Sequence, residues 1–285
     1  MNTPFYVFMF LLPKNAVSRA FGFLTRLRLP FVSALARDWF VRRYKLDMSE
    51  SEKPAAAYPN IASLFIRKLR PGARPAAPGE IVSPVDGVLS QTGVFDEPVQ
   101  KMIQAKGKSY SLSSLLRDPE LAKKFEGGAW ATIYLAPFNY HRIHSPAAGK
   151  LLSAHYCPGE LWPVNKGSVE RVEGLFAINE RLTSRIQAES GGEFLVVKVG
   201  ATNVGRIAVN YRKDWITNAG KITRNVPRTD WFPKEEIVFE KAEELGRFEM
   251  GSTVILVVSK EIRERHPGLF RNCFGKAVRM GESLI

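Results

Sequence analysis

The feature that most constrains the fold is a succession of short apolar runs separated by turn residues, which begins at Ile81 and continues towards the C-terminus. Runs of this length, bounded by turn-forming residues, are typical of β-strands. The strands predicted in this way are Ile81–Val85, Val88–Phe95, Ala129–Leu135, Leu151–Tyr156, Phe194–Val199, Arg206–Tyr211, Ile237–Phe239 and Thr253–Ser259. The pattern therefore predicts an α+β protein with a β-rich domain of mainly antiparallel sheets, preceded by amphipathic N-terminal helices.

Three local signals add detail to this pattern. Asn60 is suited to cap a short helix whose apolar residues share one face. Asp118-Pro119 predicts the cap and first-turn proline of a helical insert within Leu112–Phe125. Asp86-Gly87 stands between two apolar runs, where it predicts the turn of a β-hairpin.

The N-terminal 45 residues are strongly basic. The chain has a formal net charge of +13, and residues 1–45 contribute +7 of it, eight basic residues less the single acid Asp38. Bulky apolar side chains alternate with these arginines at roughly helical spacing: Phe21, Phe23, Leu24, Leu27, Phe31, Leu35, Trp39 and Phe40.

Two interpretations of this segment remain open. Its helices can lie in the plane of a membrane, with apolar rings among the acyl chains and guanidinium groups on the phosphates. Alternatively, they form a hairpin that packs on the core and leaves a solvated basic face. The apolar stretch Phe5–Leu12 is too short to span a bilayer, which takes about 20 residues. Nucleic acid is not expected as a partner, because the remaining chain shows no recognition module.

These patterns divide the chain into three parts. Residues 1–47 are predicted to form basic amphipathic helices, which are membrane-associating under the first of the two interpretations above. Residues 48–80, which are rich in proline and polar residues, are predicted to form a linker with one short helix. Residues 81–285 are predicted to form the β-rich domain.

Four side chains of residues 81–285 could carry out chemistry: Asp86, His141, His144 and Ser252. Each has an ordinary structural interpretation, since Asp before Gly is common in turns and Gly-Ser-Thr is common in loops. Together, however, an acid, a histidine and a serine are the parts of a relay that activates a hydroxyl nucleophile. No metal is expected, because two histidines three residues apart and two isolated cysteines do not make a zinc ligand set.

Several segments match one family in order and spacing. They are Pro84-Val85-Asp86-Gly87, Gln104-Ala105-Lys106-Gly107, Tyr140-His141-Arg142-Ile143-His144, Pro158-Gly159-Glu160-Leu161, Val199-Gly200-Ala201-Thr202 and Glu244-Leu245-Gly246-Arg247-Phe248, the last leading into Gly251-Ser252-Thr253. On these motifs the chain resembles the phosphatidylserine decarboxylase proenzymes of the bacterial membrane type. Asn139 departs from the family pattern, which usually has Asp before Tyr-His-Arg.

The resemblance implies a protein that makes its own cofactor. Asp86, His144 and Ser252 would form a self-cleavage relay in which the Ser252 hydroxyl attacks the carbonyl of Gly251. Cleavage between residues 251 and 252 would convert Ser252 into a pyruvoyl group that forms a Schiff base with the amine of phosphatidylserine. His141 would handle the substrate carboxylate or a proton transfer during decarboxylation to phosphatidylethanolamine, in phospholipid biosynthesis.

The resemblance also implies partners and a location. The fragments 1–251 and 252–285 would stay together as a heterodimer, which could form homo-oligomers, on an anionic phospholipid membrane. We expect peripheral attachment to the cytoplasmic face of the cell membrane. The alternatives are a pyruvoyl decarboxylase of a soluble amino acid, a serine hydrolase that uses the same relay on external esters, and a non-catalytic binder of anionic lipid.

The charge of the N-terminal segment gives a first testable prediction. Because residues 1–45 carry a charge of +7, we expect binding to anionic phospholipid vesicles to weaken as salt screens the charges, and to weaken when the segment is deleted. Co-sedimentation at low and high ionic strength measures this, with neutral vesicles as the control. Binding that changes in neither experiment contradicts an anchoring role.

Overall fold

The structure is a computed structural model of the 285-residue chain. It describes residues 12–95, 100–202, 206–217, 227–232, 236–249 and 253–285. Gly251 and Ser252, the predicted cleavage site, lie outside the described residues. The expected class is confirmed: the N-terminal part is helical, and a β-rich α+β region follows it.

Antiparallel strands are the main regular secondary structure of the region after residue 81. The strands are β1 (Gly87–Val94), β2 (Lys101–Ala105), β3 (Lys108–Ser111), β4 (Ala129–Tyr134), β5 (Arg142–His144), β6 (Gly149–Cys157), β7 (Arg181–Ala188), β8 (Glu193–Val199), β9 (Ile207–Val209), β10 (Arg228–Trp231), β11 (Val238–Phe239), β12 (Glu244–Phe248), β13 (Thr253–Val258) and β14 (Ala277–Val278). Within the described ranges the main sheet has nine strands in the order β10-β6-β7-β8-β13-β4-β1-β14, with β11 also pairing with β6. A smaller sheet has the order β5-β12-β9, and β2 pairs with β3 alone.

The central strands of the main sheet are buried on both faces, and β13 illustrates why such a strand has an apolar sequence. Val254, Leu256 and Val258 point into one hydrophobic cluster, while Ile255 and Val257 point into a second cluster on the opposite face. Side chains alternate between the faces of a strand, so a strand covered on both sides needs apolar residues at every position. This continuous run makes β13 recognisable from sequence.

Helices cover one of these two faces. They are α1 (Lys14–Arg26), α2 (Pro30–Tyr44), α3 (Ile61–Phe65), α4 (Leu112–Leu116), α5 (Pro119–Lys123), α6 (Lys166–Val169) and α7 (Leu175–Ile178). A further helix, α8 (Lys260–Arg265), follows the last long strand and packs through Ile262 in the cluster on the opposite face. Phe40 of α2 and Phe65 of α3 belong to the same cluster as Val257 of the sheet. The N-terminal segment therefore packs directly on the domain that carries the predicted site residues.

Two helix caps form as predicted. The Asn60 side chain accepts a hydrogen bond from Ser63 N at 2.9 Å, and Asp118 accepts from Leu121 N at 2.9 Å with Pro119 in the first turn. The insert at 112–125, however, is two helices rather than one. Arg117 between them has a φ of 51°, in the left-handed region, which ends α4 before Asp118 begins α5.

The predicted hairpin at Asp86-Gly87 is wrong. Residues 81–85 do not form a strand; Val82 makes only an isolated bridge to Ser283. Gly87 belongs to β1, and a Cβ at this position would collide with the backbone carbonyl of Tyr134. The glycine is therefore explained by the close approach of β1 to β4, and not by a turn.

The N-terminal helices pack on the core, as in the second interpretation of their sequence, but they also expose apolar side chains; contact with a membrane stays a prediction. Phe40 is buried against the core, whereas Phe31 and Leu35 are 85% and 71% exposed, and Phe23 and Trp39 are also largely exposed. One face thus packs on the protein, and an adjoining apolar face is presented to the surroundings. Among the described residues, no helix is long and apolar enough to cross a bilayer. The domain boundaries at 47/48 and 80/81 stay predictions.

Candidate active site

The site is built from three chain segments that hydrogen-bond to one another through their backbones. His144 N donates to the carbonyl of Pro84 at 2.9 Å, which joins β5 to the bend that carries Asp86. Ser145 N donates to the carbonyl of Glu243 at 2.7 Å, where β5 meets β12. Backbone bonds of this kind fix the positions of the side chains that follow them, so the site has a rigid base.

His144 is held as a neutral base. Its Nδ1 lies 2.7 Å from the carbonyl oxygen of Ala242, and because a carbonyl only accepts, Nδ1 carries the proton. In the neutral ring Nε2 then has a lone pair, which accepts a hydrogen bond from the Tyr140 hydroxyl at 3.1 Å. Burial lowers the pKa of His144 below its usual value of 6.5, and this favours the neutral form.

His141 has the same tautomer in a drier environment. Its Nδ1 donates to the carbonyl of Asn139 at 2.8 Å, and its ring lies against Phe65 with 3.9 Å between the centroids. The side chain is fully buried, and burial lowers its pKa to about 3. Its Nε2 has no hydrogen-bond partner among the described residues. A buried lone pair without a partner is costly in a purely structural residue, so this atom is a candidate for contact with a ligand.

Asp86 lies in the same site, with partners that differ from the predicted ones. Its buried carboxylate forms an ion pair with Arg74 and accepts from the backbone nitrogen of Met280 at 2.9 Å and of Tyr140 at 3.4 Å. Arg74 in turn bonds Glu50 at 2.5 Å. Asp86 thus joins the loop before β1, the histidine loop and the C-terminal segment.

The direct carboxylate–imidazole bond expected of the relay is not formed. A carbonyl, that of Ala242, takes the position at Nδ1 of His144 that a relay aspartate would occupy. Tyr140 connects the two residues instead: its backbone nitrogen bonds Asp86 and its hydroxyl bonds His144. The structure therefore brings Asp86, His141 and His144 into one site, where the roles predicted for them stay predictions.

Sequence reasoning missed three residues of this site: Arg67, Arg74 and the Tyr140 hydroxyl. Arg67 is buried, and its Nη2 donates to the carbonyl of Phe138 at 3.1 Å. Arg74 stands in a segment whose proline and glycine content indicated only a loop. Tyr140 could have been predicted as a site residue, because it directly precedes His141 in the Tyr140–His144 motif. Nothing in the local sequence indicates a site role for Arg67 or Arg74, since their partners are set by tertiary contacts.

Thr253 is the described residue nearest in sequence to the predicted nucleophile, and it lies at an edge shared by several strands. It is paired with Tyr134 of β4 and with Val199 of β8, and Tyr134 is paired on its other side with Val88 of β1. The start of β1, directly after Asp86, and the start of β13, directly after Ser252, therefore flank the same end of β4.

The chain that leads towards residues 250–252 is tethered to the histidines. Strand β12 is paired with β5, with Glu244 opposite His144 and Arg247 opposite Arg142. At its end, Phe248 N donates to the carbonyl of His141 at 3.0 Å. The segment that precedes the predicted cleavage site thus runs along the strand that contains His144.

Two adjoining clefts open beside Thr253 and the N-terminal helices. The first, of about 590 Å³, lies between α1, α2 and the sheet, and its wall is mostly apolar. The second, of about 500 Å³, reaches Thr253 and is lined also by Lys106 and Lys166. They share the lining residues Tyr134, Val164 and Asn165, so an elongated molecule could extend from one into the other. The described residues contain no cluster of His, Cys, Asp and Glu suited to a metal ion.

Comparison with known proteins identifies the family. The family model described as Phosphatidylserine decarboxylase matches residues 61–285, and a second model, described as PSD, matches residues 5–45. A phosphatidylserine decarboxylase proenzyme of Anaeromyxobacter sp. (strain K) is 47% identical over 277 residues, which cover 96% of this chain and 95% of the relative. A relative of the same name from Brevibacillus brevis is 45% identical over 96% of this chain and 94% of its own length. Another, from Myxococcus xanthus, is 45% identical over 89% of this chain and 88% of its own length. The chain therefore belongs to the phosphatidylserine decarboxylase family, and it is a carboxy-lyase.

Proposed function

We propose that this protein cleaves its own backbone between Gly251 and Ser252 and uses the resulting pyruvoyl group to decarboxylate phosphatidylserine to phosphatidylethanolamine, in phospholipid biosynthesis. One observation carries the proposal: the strand leading towards the Gly251-Ser252 bond is paired with the strand of His144, and it ends on the carbonyl of His141. A general base and the chain to be cleaved are thus joined by backbone hydrogen bonds.

The first step assigned to this chain is a proton transfer. The neutral His144 has a basic lone pair at Nε2, and Tyr140 is its present hydrogen-bond donor. We propose that Nε2 takes the proton of the Ser252 hydroxyl as the oxygen attacks the carbonyl carbon of Gly251. The peptide nitrogen leaves with a proton, so that an ester replaces the amide.

The second step breaks the ester. A base removes the α-proton of residue 252, and the carboxylate of Gly251 departs as the new C-terminus of the upstream fragment. Addition of water to the remaining dehydroalanine, by way of its imine, releases ammonia and leaves an α-keto group. Asp86 contributes by holding the histidine loop, because its carboxylate binds the backbone nitrogen of Tyr140.

A pyruvoyl group supplies a ketone carbonyl that condenses with an amine and accepts the electron pair left when carbon dioxide departs. The surroundings of residue 253 suit such a group. Thr253 is buried, its Oγ1 has no hydrogen-bond partner among the described residues, and the second cleft opens beside it. His141 provides a buried lone pair at Nε2, which we propose to act on the substrate carboxylate or in returning a proton.

The clefts and the surface support a phospholipid substrate. The mostly apolar first cleft lies against the N-terminal helices, whose exposed face carries Phe31, Leu35 and Trp39. The second cleft has Lys106 and Lys166 among its lining residues, which suit an anionic headgroup. A lipid held this way would have its acyl chains towards the membrane and its headgroup towards Thr253. We propose peripheral attachment to the membrane on this basis, and the cytoplasmic face remains the expected side.

The sheet explains how two fragments would remain one molecule. Strand β13 is hydrogen-bonded to β4 on one side and β8 on the other, and both neighbours belong to the upstream fragment. Its side chains are buried in two hydrophobic clusters. Cleavage before β13 leaves these contacts intact, so fragments 1–251 and 252–285 would stay associated as a heterodimer.

Replacement of Ser252 by alanine tests the proposal. The wild-type protein is expected to separate in denaturing conditions into fragments 1–251 and 252–285, the second with a pyruvoyl cap. The Ser252→Ala variant should remain one inactive chain, because it has no hydroxyl to attack Gly251. Intact-mass measurement with an activity assay decides this, and an active enzyme made of one unbroken chain would refute the mechanism.

The buried state of His144 predicts the pH dependence of self-cleavage. The base must be neutral, and burial lowers its pKa below 6.5, so the rate should be constant from pH 8 to pH 7 and should fall only below about 6.5. Tyr140→Phe removes a donor that stabilises the neutral ring, which should raise the pKa of His144 and move the fall to higher pH. Pulse-labelled protein chased in buffers of different pH provides the rates. An unchanged profile in Tyr140→Phe contradicts the assignment of His144 as the base.

Lys166 tests the orientation of the substrate. Lys166→Gln should raise KM for phosphatidylserine in mixed micelles about fivefold, equivalent to ~1 kcal/mol, because an exposed charge contributes at most about that much. The kcat and the extent of self-cleavage should stay unchanged. Lys123→Gln is the matched control, since Lys123 is exposed on α5 and pairs with Glu120. Equal effects of the two substitutions would exclude a headgroup role for Lys166.

A further inference from the structure

Glu249, two residues before Gly251, is held by three arginines from different parts of the chain. Its Oε2 accepts from Nη2 of Arg26 at 2.7 Å and lies 3.4 Å from Nη1 of Arg206. Its Oε1 accepts from Nη2 of Arg247 at 3.2 Å. The side chain is only 12% exposed, and although burial raises its pKa, the arginines together bring the pKa below the usual value. The carboxylate is therefore a charged anchor.

The backbone of Glu249 is anchored as well. Its nitrogen donates to the carbonyl of Arg206 at 2.9 Å, and the preceding Phe248 is fully buried opposite Ile207 of β9. The position of the chain that enters residues 250–252 is thus set by β9, by the carbonyl of His141 and by the arginines around Glu249.

Arg26 brings helix α1 into this arrangement. It is the last residue of α1, its Nη1 donates to the carbonyl of Gly22 at 2.8 Å, and its own carbonyl accepts from Nδ2 of Asn60 at 2.8 Å. The guanidinium is therefore oriented by its own helix, and the backbone of Arg26 is held by the cap residue of α3. Of the three arginines, only Arg26 comes from the basic N-terminal segment.

The other end of α1 is also docked on the domain. Lys14 pairs with Glu160 at 2.9 Å and lies 4.4 Å above the ring of Trp162. Asn15 Nδ2 donates to the carbonyl of Gly159 at 3.3 Å. The helix, about 20 Å long at 1.5 Å per residue, thus spans from the Pro158–Leu161 motif to the segment before the cleavage site.

We propose that docked helix α1 is part of the self-cleavage machinery, and that the Arg26–Glu249 ion pair is the positioning contact through which it acts. This inference rests on the proposed function. Attack of a hydroxyl on its preceding carbonyl needs the reacting atoms in a narrow range of geometry, and a displacement of about 1 Å can cost on the order of 100-fold in rate. The N-terminal segment thereby serves maturation as well as membrane attachment.

The experiment measures the rate at which newly made full-length protein cleaves itself. Protein synthesised and labelled in a cell-free system is chased, and the loss of the unbroken chain is followed on denaturing gels. Arg26→Gln and Glu249→Gln should each slow cleavage about tenfold or more. Arg26→Lys, which keeps the charge, should recover most of the rate. Arg28→Gln removes the same charge at an exposed position two residues away, and should cleave like the wild type.

A second readout separates positioning from general destabilisation. Protein that has completed cleavage should have wild-type kcat per pyruvoyl-capped fragment in detergent micelles, whichever of the four substitutions it carries. The inference is overturned if Arg26→Gln and Glu249→Gln both cleave at the rate of Arg28→Gln. It is also overturned if Arg26→Gln cleaves slowly and Arg26→Lys cleaves just as slowly. The proposed function itself fails under a different result, in which the wild-type protein is active without cleaving. If the wild type cleaves and the substitutions do not slow it, only the role of α1 is refuted.

Discussion

The pairing of β5 with β12 is the constraint on which the rest of the site depends. It places Glu244 opposite His144 and brings Phe248 to the carbonyl of His141, so the two histidines and the chain before residue 250 share one set of backbone hydrogen bonds. Breaking a backbone hydrogen bond in a buried sheet costs free energy, because water cannot replace the lost partner there. The site is therefore positioned by the fold before any side chain contributes.

Burial then determines the chemistry of the side chains that this pairing positions. Both histidines donate Nδ1–H to a carbonyl and are removed from solvent, which keeps them neutral with a lone pair at Nε2. Asp86 is also buried, but Arg74 compensates its charge. Its bonds to Arg74, Met280 and Tyr140 make it a junction between segments, and its predicted relay role stays a prediction.

The N-terminal helices connect the site to the surface. Residues that pack inward, such as Phe40, anchor the helices on the sheet, while Phe31 and Leu35 project outward. An exposed apolar face next to basic side chains is typical of a surface that meets an anionic membrane. Helix α1, which precedes the helix that carries these residues, bonds Glu249 through Arg26, so the N-terminal segment also contacts the chain that precedes the predicted cleavage site.

Features whose causes are local could be predicted from the sequence. The apolar runs within β4, β8 and β13 indicate burial on both faces, and Asn60 and Asp118 cap helices by bonds to residues three positions away. The motifs around the histidines and Gly251-Ser252 identified the family, which the comparisons confirm.

Contacts between groups that are distant in the sequence depend on the complete fold. Strand β7 escaped prediction because Arg181 and Arg185 interrupt its apolar pattern, although Arg181 is fully buried and bonds the carbonyls of Ser114 and Asn179. The bonds from Asp86 to Met280 and from Arg26 to Glu249 join residues that are 194 and 223 positions apart. A local pattern shows that a side chain is polar or buried, but its partner is chosen by the path of the whole chain, so these contacts could not be predicted from the residues around them.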